Sequence, residues 1–402
     1  MPSRSSTNGI STANLVSHSV LGFFSPLLSL FSLATVATVK TVGYRTVDLT
    51  VLIASVAIAL LNTTKVPESD LYNYLLFYEQ ATSVSMDEYL SARDYRDPFF
   101  HWLSFIIARV SNANHLIYVF VITFVVFLFF LKAVENIGRS SGLSASIVLI
   151  LVIAAAFFGP SVSLSGHLLR QMLAGSLVCY FISTLDNTQP SKFNWVYLLL
   201  SVLTHISVFL FFPILVARIY QGSKYSKYFN AGALLLFVSF SVFLFSSAGR
   251  TVLSDAAFIG VLVARSSSLD GADIQALSLL SLLIIFATFM ISVFIVLLKM
   301  KGKLTGPLPT IGSTLSLYLI SFVLITYLLG GNEISSRYFF FVYMLMLALL
   351  PLALVGFKNK RIVALTVLLL SLASFYISVI DGVWQYDGLW LSLVFPIGLL
   401  GI

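Results

Sequence analysis

Long apolar runs alternate along this chain with short polar connections, and most of the runs fall in one length class. A helix needs about 17–25 predominantly apolar residues to cross the hydrocarbon core of a bilayer. Runs of that kind occupy 15–39, 46–62, 114–132, 142–158, 167–185, 229–246, 276–298, 310–329, 338–356, 362–380 and 388–402. The pattern predicts an all-α, polytopic membrane bundle of about 11 spans. No connection is long enough for a soluble domain, so 1–402 reads as a single integral membrane domain. Two apolar pieces break the rule: 98–110 is too short to cross, and 195–217 carries His205 and Pro213 inside its run. Both read as broken or re-entrant helices, tolerated at membrane depth only where the backbone is buried in protein or lines a wet cavity. Residues 63–113 then form an outer loop with a short helix, 195–217 a re-entrant hairpin, and 247–275 a second outer loop.

Composition agrees, with 58% hydrophobic against 10% charged residues, a ratio that a soluble core could not enclose. Cys179 is the single cysteine, which leaves neither a disulfide framework nor a thiolate cluster for a metal. The polar start of the chain is followed by an apolar stretch too long for a signal-peptide core, which is expected to remain as the first helix. The formal charge of +7 would suggest nucleic acid in a soluble domain. Here the cations gather in short loops, where they set orientation instead. Lys40 and Arg45, Lys132 and Arg139, Lys192, then Arg218, Lys224 and Lys227, then Lys299, Lys301 and Lys303, and finally Lys358, Lys360 and Arg361 mark one side, expected to be cytoplasmic. Both flanks of 195–217 are basic, so that segment must enter and return. Residues 63–97, 159–166, 247–275, 330–337 and 381–387 then face outward.

Against this background a few polar residues stand out. His167, Arg170 and Gln171 open an otherwise apolar span, and with Ala174 their spacing places them on one helical face. Arg170 reads either as an anchor snorkelling to the interface or as a cation aimed into an outward cavity. His205 lies in the hairpin at a depth where a neutral imidazole can serve as a general base, or equally donate one hydrogen bond to a carbonyl. Asp70, Tyr74 and Tyr78 lie on one helical face of the outer loop. Carboxylates beside aromatic faces suit a sugar ring, although an interfacial aromatic belt would use the same residues. Asp97 followed by Pro98 reads as an N-cap with proline at the first helical position. Glu333 and Arg337 are spaced as a helical ion pair at the outer end of a span, and Arg250 and Arg265 add charge to the loop 247–275. The chain has no phosphate-binding G-x-x-x-x-G-K-[ST] loop, no H-E-x-x-H and no Cys/His ligand spacing, so neither a metal nor another cofactor is expected.

The segments Asp70-Leu71-Tyr72-Asn73-Tyr74, Asp97-Pro98-Phe99-Phe100, "LLRQMLAGSL", "LTHISVFLFFPI" and "SSRYFFFVY" occur in an order that resembles the polysaccharide polymerase family of EpsG-like proteins and Wzy O-antigen polymerases. The resemblance covers residues 45 to 345, and it departs at Phe99, where glycine is expected. It implies a GT-C-like membrane glycosyltransferase of the bacterial inner membrane. Such an enzyme moves a growing glycan from undecaprenyl diphosphate onto a lipid-linked repeat unit at the periplasmic face. Carried onto this chain, the resemblance implies Arg170 and Arg337 as a diphosphate clamp and His205 or Asp70 as the base. Gln171, His167, Tyr74, Tyr78 and Glu333 would lie around the substrate, with Arg250 and Arg265 toward a second lipid diphosphate. A lipid-linked oligosaccharide is then the partner, with room for a chain-length regulator and none for nucleic acid. The rival readings are an O-antigen ligase, which would carry a larger late outer loop, and a lipid-linked oligosaccharide flippase. A flippase predicts matched internal repeats with broken helices, a pattern not found in this chain.

Overall fold

The structure, a computed structural model, describes residues 17–22, 25–93, 96–185, 194–205, 208, 279–328, 332–380, 382 and 385–388, with the backbone alone for 326, 328 and 332–337. Among the described residues every regular element is helical, apart from an antiparallel bridge between Lys65 and Tyr386. Among those residues five helices are long and apolar enough to cross a membrane, or six if one bent pair counts as a span.

The first unit comprises residues 1–208 and 350–402. It contains α1 (Pro26–Val39), α2 (Tyr44–Thr63), α3 (Ser69–Gln80), α4 (Met86–Ser91), α5 (Pro98–Ser111), α6 (His115–Ser140), α7 (Ala145–Ala156), α8 (Gly159–Ser165), α9 (Leu169–Ser183), α10 (Asn194–Thr204) and α14 (Lys360–Phe375), whose last turn runs on as a π-helix at Tyr376–Ile380. Within the span expected over 15–39, α1 begins only at Pro26, after Ser25 in non-helical backbone. The cause is that proline offers no N–H to a helix arriving from before it.

Helices α2 and α6 form the centre and run antiparallel. Asp48, near the start of α2, meets Lys132 near the end of α6, while Asn62 at the end of α2 reaches Thr123 on the first half of α6 at 3.5 Å. The pair therefore has two chemically different ends. At one, Glu135 is buried between Lys132 at 2.7 Å and Arg139 at 3.4 Å, and Arg139 lies 4.3 Å from the Tyr44 ring. Arg361 of α14 donates to the Ala37 carbonyl at 2.9 Å near this end. At the other end stand the connections 64–68 and 112–114, with the polar residues described below. Helix α9 packs along α6, and α10 along α9.

The described residues of 63–113 are mostly helix. Tyr74 and Tyr78 turn inward from α3 with Leu71 and Leu75, as their three- and four-residue spacing predicts. A capping box between Ser85 and Glu88 starts α4. The apolar run 142–158 ends earlier than a full span: α7 stops at Ala156, and α8 follows at an angle of 51°. Pro160 in the first turn of α8 accounts for the restart. Gly159 allows it, because a Cβ there would lie 2.0 Å from the Ser374 carbonyl oxygen of α14.

The second unit, residues 209–349, contains α11 (Leu279–Met300), α12 (Leu308–Leu328) and most of α13 (Asn332–Leu354). Helices α11 and α12 pack together, and Lys299 donates to Thr310 across their connection. The predicted span 229–246, the loop 247–275, the return half of the hairpin 195–217 and the span 388–402 lie outside the described residues.

Candidate functional site

The site belongs to the first unit, at the end of the α2–α6 pair away from the Lys132–Glu135–Arg139 cluster. It is built around Arg170, the second residue of α9. Its Nη1 donates to Asp97 Oδ2 at 2.7 Å, and its Nε donates to the Tyr74 hydroxyl at 3.2 Å. The guanidinium carbon lies 5.3 Å from the Tyr74 ring centroid, within cation–π range. Asp70, one turn before Tyr74 on α3, acts on the same guanidinium through space. Three elements, α3, the start of α5 and the start of α9, thus converge on one cation. The Asp97 side chain is 7% exposed, whereas that of Arg170 keeps 26% of its surface open, so part of the guanidinium can still meet a ligand.

Asp97 has φ 47 and ψ 51, the left-handed region, which a non-glycine residue enters at some cost and which concentrates at functional sites. Pro98 stands in the first turn of α5 as the sequence predicts, but the Asp97 side chain makes no cap hydrogen bond. Its carboxylate bonds Arg170 instead. Sequence reasoning saw the cap and missed the ion pair, because Arg170 lies 73 residues further on.

Arg170 and Gln171 diverge, as neighbours about 100° apart on a helix must. Gln171 is buried and points toward α10, where its amide lies 3.5 Å from His205 Nε2. His205 follows the last residue of α10, so the first half of the proposed hairpin delivers it beside α9. His167 does not share the Arg170 face: it sits in the turn between α8 and α9, before the helical phase is set. It is buried and faces Lys65 and the Glu68 backbone.

Lys65 escaped the sequence reading. It lies just beyond the end of α2, is 4% exposed, donates to the Ser163 carbonyl and stands 5.4 Å from the centroid of the Tyr386 ring. Burial pushes its ammonium from the ordinary 10.5 down to about 6, with Glu68 acting in the opposite direction. Asn62 donates to Ser165 Oγ at 2.7 Å beneath it. The available signal was a lysine following an apolar span directly, at the end where lysines are otherwise scarce.

Tyr78 is fully buried, stacked on Tyr118 at 4.2 Å and bonded to Ser111, so it joins α3 to α5 and α6. His101 of α5 is buried beside Tyr89, and burial together with Arg170 and Arg93 lowers its imidazole to about 3, which keeps it neutral. Glu333 and Arg337 lie on the first turns of α13, where the backbone alone is described, and Arg250 and Arg265 lie outside the described residues. Among the described residues no group of three His, Cys, Asp or Glu side chains is placed to hold a metal ion.

In comparison with known proteins, the sequence model of the EpsG family matches residues 48–387. That range contains every residue of the cluster around Arg170. No curated protein and no solved structure matches the chain.

Proposed function

Because the chain belongs to the EpsG family, whose members are Wzy-like polymerases and related membrane proteins, we propose that it polymerises lipid-linked oligosaccharide repeat units. In this reading the growing glycan leaves undecaprenyl diphosphate and joins the terminal sugar of an incoming lipid-linked unit. The reaction occurs at the outer face of the bacterial inner membrane.

The observation that carries the reading is Arg170. A guanidinium is held by Tyr74 and Asp97 at the mouth of an apolar bundle, still partly open. A lipid diphosphate is already a good leaving group, so the protein must chiefly hold the charge that develops on it and accept a proton from the attacking hydroxyl. Arginine suits the first task because its planar fork matches phosphate oxygens in pairs. Arg337 is the second arm of the proposed clamp, and Arg250 and Arg265 are assigned to the other lipid diphosphate. Orientation follows from the positive-inside rule: the end bearing Lys132, Arg139 and Arg361 is cytoplasmic, which leaves the Arg170 end outside.

A strain lacking the protein is expected to accumulate single lipid-linked repeats on the outer side of the membrane. Accumulation on the cytoplasmic side would favour the flippase reading. Arg170→Ala and Arg337→Ala, correctly inserted, are each expected to abolish polymer. Arg170→Lys keeps the charge and should still lose most of it, since an ammonium cannot form the paired contacts. Polymer of unchanged length and amount in the alanine variants would refute the clamp.

A further inference from the structure

We propose that Asp97 is the catalytic base of the transfer, and that before substrate binds its carboxylate occupies the place on Arg170 that the donor diphosphate later takes. This rests on the polymerase reading above. The geometry that carries it is the approach of Asp97 Oδ2 to Arg170 Nη1 at 2.7 Å, from a residue whose side chain forgoes its own helix cap and whose backbone sits at φ 47.

A carboxylate and a phosphate oxygen present the same chemistry to a guanidinium, so the two compete for one donor. Nε of Arg170 is meanwhile held by the Tyr74 hydroxyl, which leaves the guanidinium anchored while its partner on Nη1 changes. Once the diphosphate takes Nη1, Asp97 loses its cation and gains an anionic neighbour, and both changes raise its affinity for a proton. A weak base in the resting protein becomes a competent one only when the donor is in place.

The chemical step is then complete in its atoms. The acceptor hydroxyl oxygen attacks the anomeric carbon of the donor glycan and forms the new glycosidic bond. The bond from that carbon to the diphosphate breaks, and its electron pair leaves on the diphosphate, held by Arg170. The hydroxyl proton passes to the Asp97 carboxylate. His205 and Asp70, the bases that the sequence suggests, are placed less directly. His205 meets Gln171 on the other side of α9, and Asp70 acts on Arg170 only through space.

The test uses the full chain in nanodiscs, with farnesyl diphosphate as the probe for binding, and the polymer made in cells, normalised to inserted protein. Asp97→Asn removes the competing charge and the base together. It is expected to bind farnesyl diphosphate about tenfold more tightly, a coupling of ordinary size, and to lose polymer about 100-fold or more. Asp97→Glu is expected to recover part of the polymer. Tighter binding with wild-type polymer overturns the base, and unaltered binding overturns the competition. Should Asp97→Asn fail to fold, infrared difference spectra of the wild-type chain carry the same question. Adding farnesyl diphosphate is expected to alter a carboxylate band that shifts in Asp97→Glu, and a spectrum without that change overturns the proposal. A wild-type chain that binds no farnesyl diphosphate would overturn the lipid-diphosphate reading itself, and this proposal with it. Binding by the wild type that Asp97→Asn leaves unchanged overturns the proposal alone.

Discussion

At the scale of single residues, two cations at the same end of the first unit behave differently. Arg170 is stabilised by a carboxylate, a phenol and a partly open side. Lys65 is closed in, and its ammonium is strongly disfavoured. The unfolded chain keeps the lysine protonated up to about 10.4, whereas the folded one releases the proton near 6. Between those values the unfolded state binds more protons, so stability rises with pH across that window and is lowest below it. Thermal melts in detergent from pH 6 to 10 should show this rise, and Lys65→Met should flatten it. Arg170 was legible in the sequence because an arginine in an apolar run has few explanations. Lys65 and Asp97 were not, since their roles depend on Tyr386 and Arg170, partners that only the folded chain brings near.

Among the elements, the ones that read correctly are those with a local cause. The helical face of Tyr74 and Tyr78 follows from their spacing, and the start of α5 from Pro98. What failed to read were breaks in phase. His167 belongs to the helical pattern of α9 in sequence, but α8 intrudes and the turn between them swings it toward Lys65. The break depends on the contact of Gly159 with α14, where the amide of Gly159 donates to Ser374 Oγ at 3.1 Å. A methyl at Gly159 meets backbone, which cannot step aside. Gly159→Ala is therefore expected to destabilise the protein by about 1–3 kcal/mol, as overpacking does. The measure is the melting temperature, and Gly159→Ala melting with the wild type would show that α8 and α14 can part without loss.

For the whole molecule, the apolar period made the membrane class plain, while the number of spans depended on segments that length alone does not resolve. The run at 142–158 is one of these, since it yields α7 and a tilted α8. Orientation has a direct test, because Cys179 is the single cysteine and is buried. Replacing it with Ser gives a background in which Ser91→Cys, on α4, should react with a membrane-impermeant maleimide in spheroplasts. Ser141→Cys, at the end of α6, should react only after permeabilisation. The reverse pattern would place the Arg170 end in the cytoplasm and remove it from any outer-face chemistry.

The first unit is closed by late residues: Arg361 bonds Ala37 across 324 positions, and Gly159 meets Ser374 across 215. A ribosome adding about 5–20 residues per second leaves α1 and α2 waiting roughly 15–65 s before α14 emerges. During that interval Lys65 lacks the Tyr386 ring and has only earlier residues such as Ser163 to enclose its ammonium. Products arrested before residue 360 would therefore lack the closing helix however well their earlier spans had inserted, and membrane proteases should clear them first.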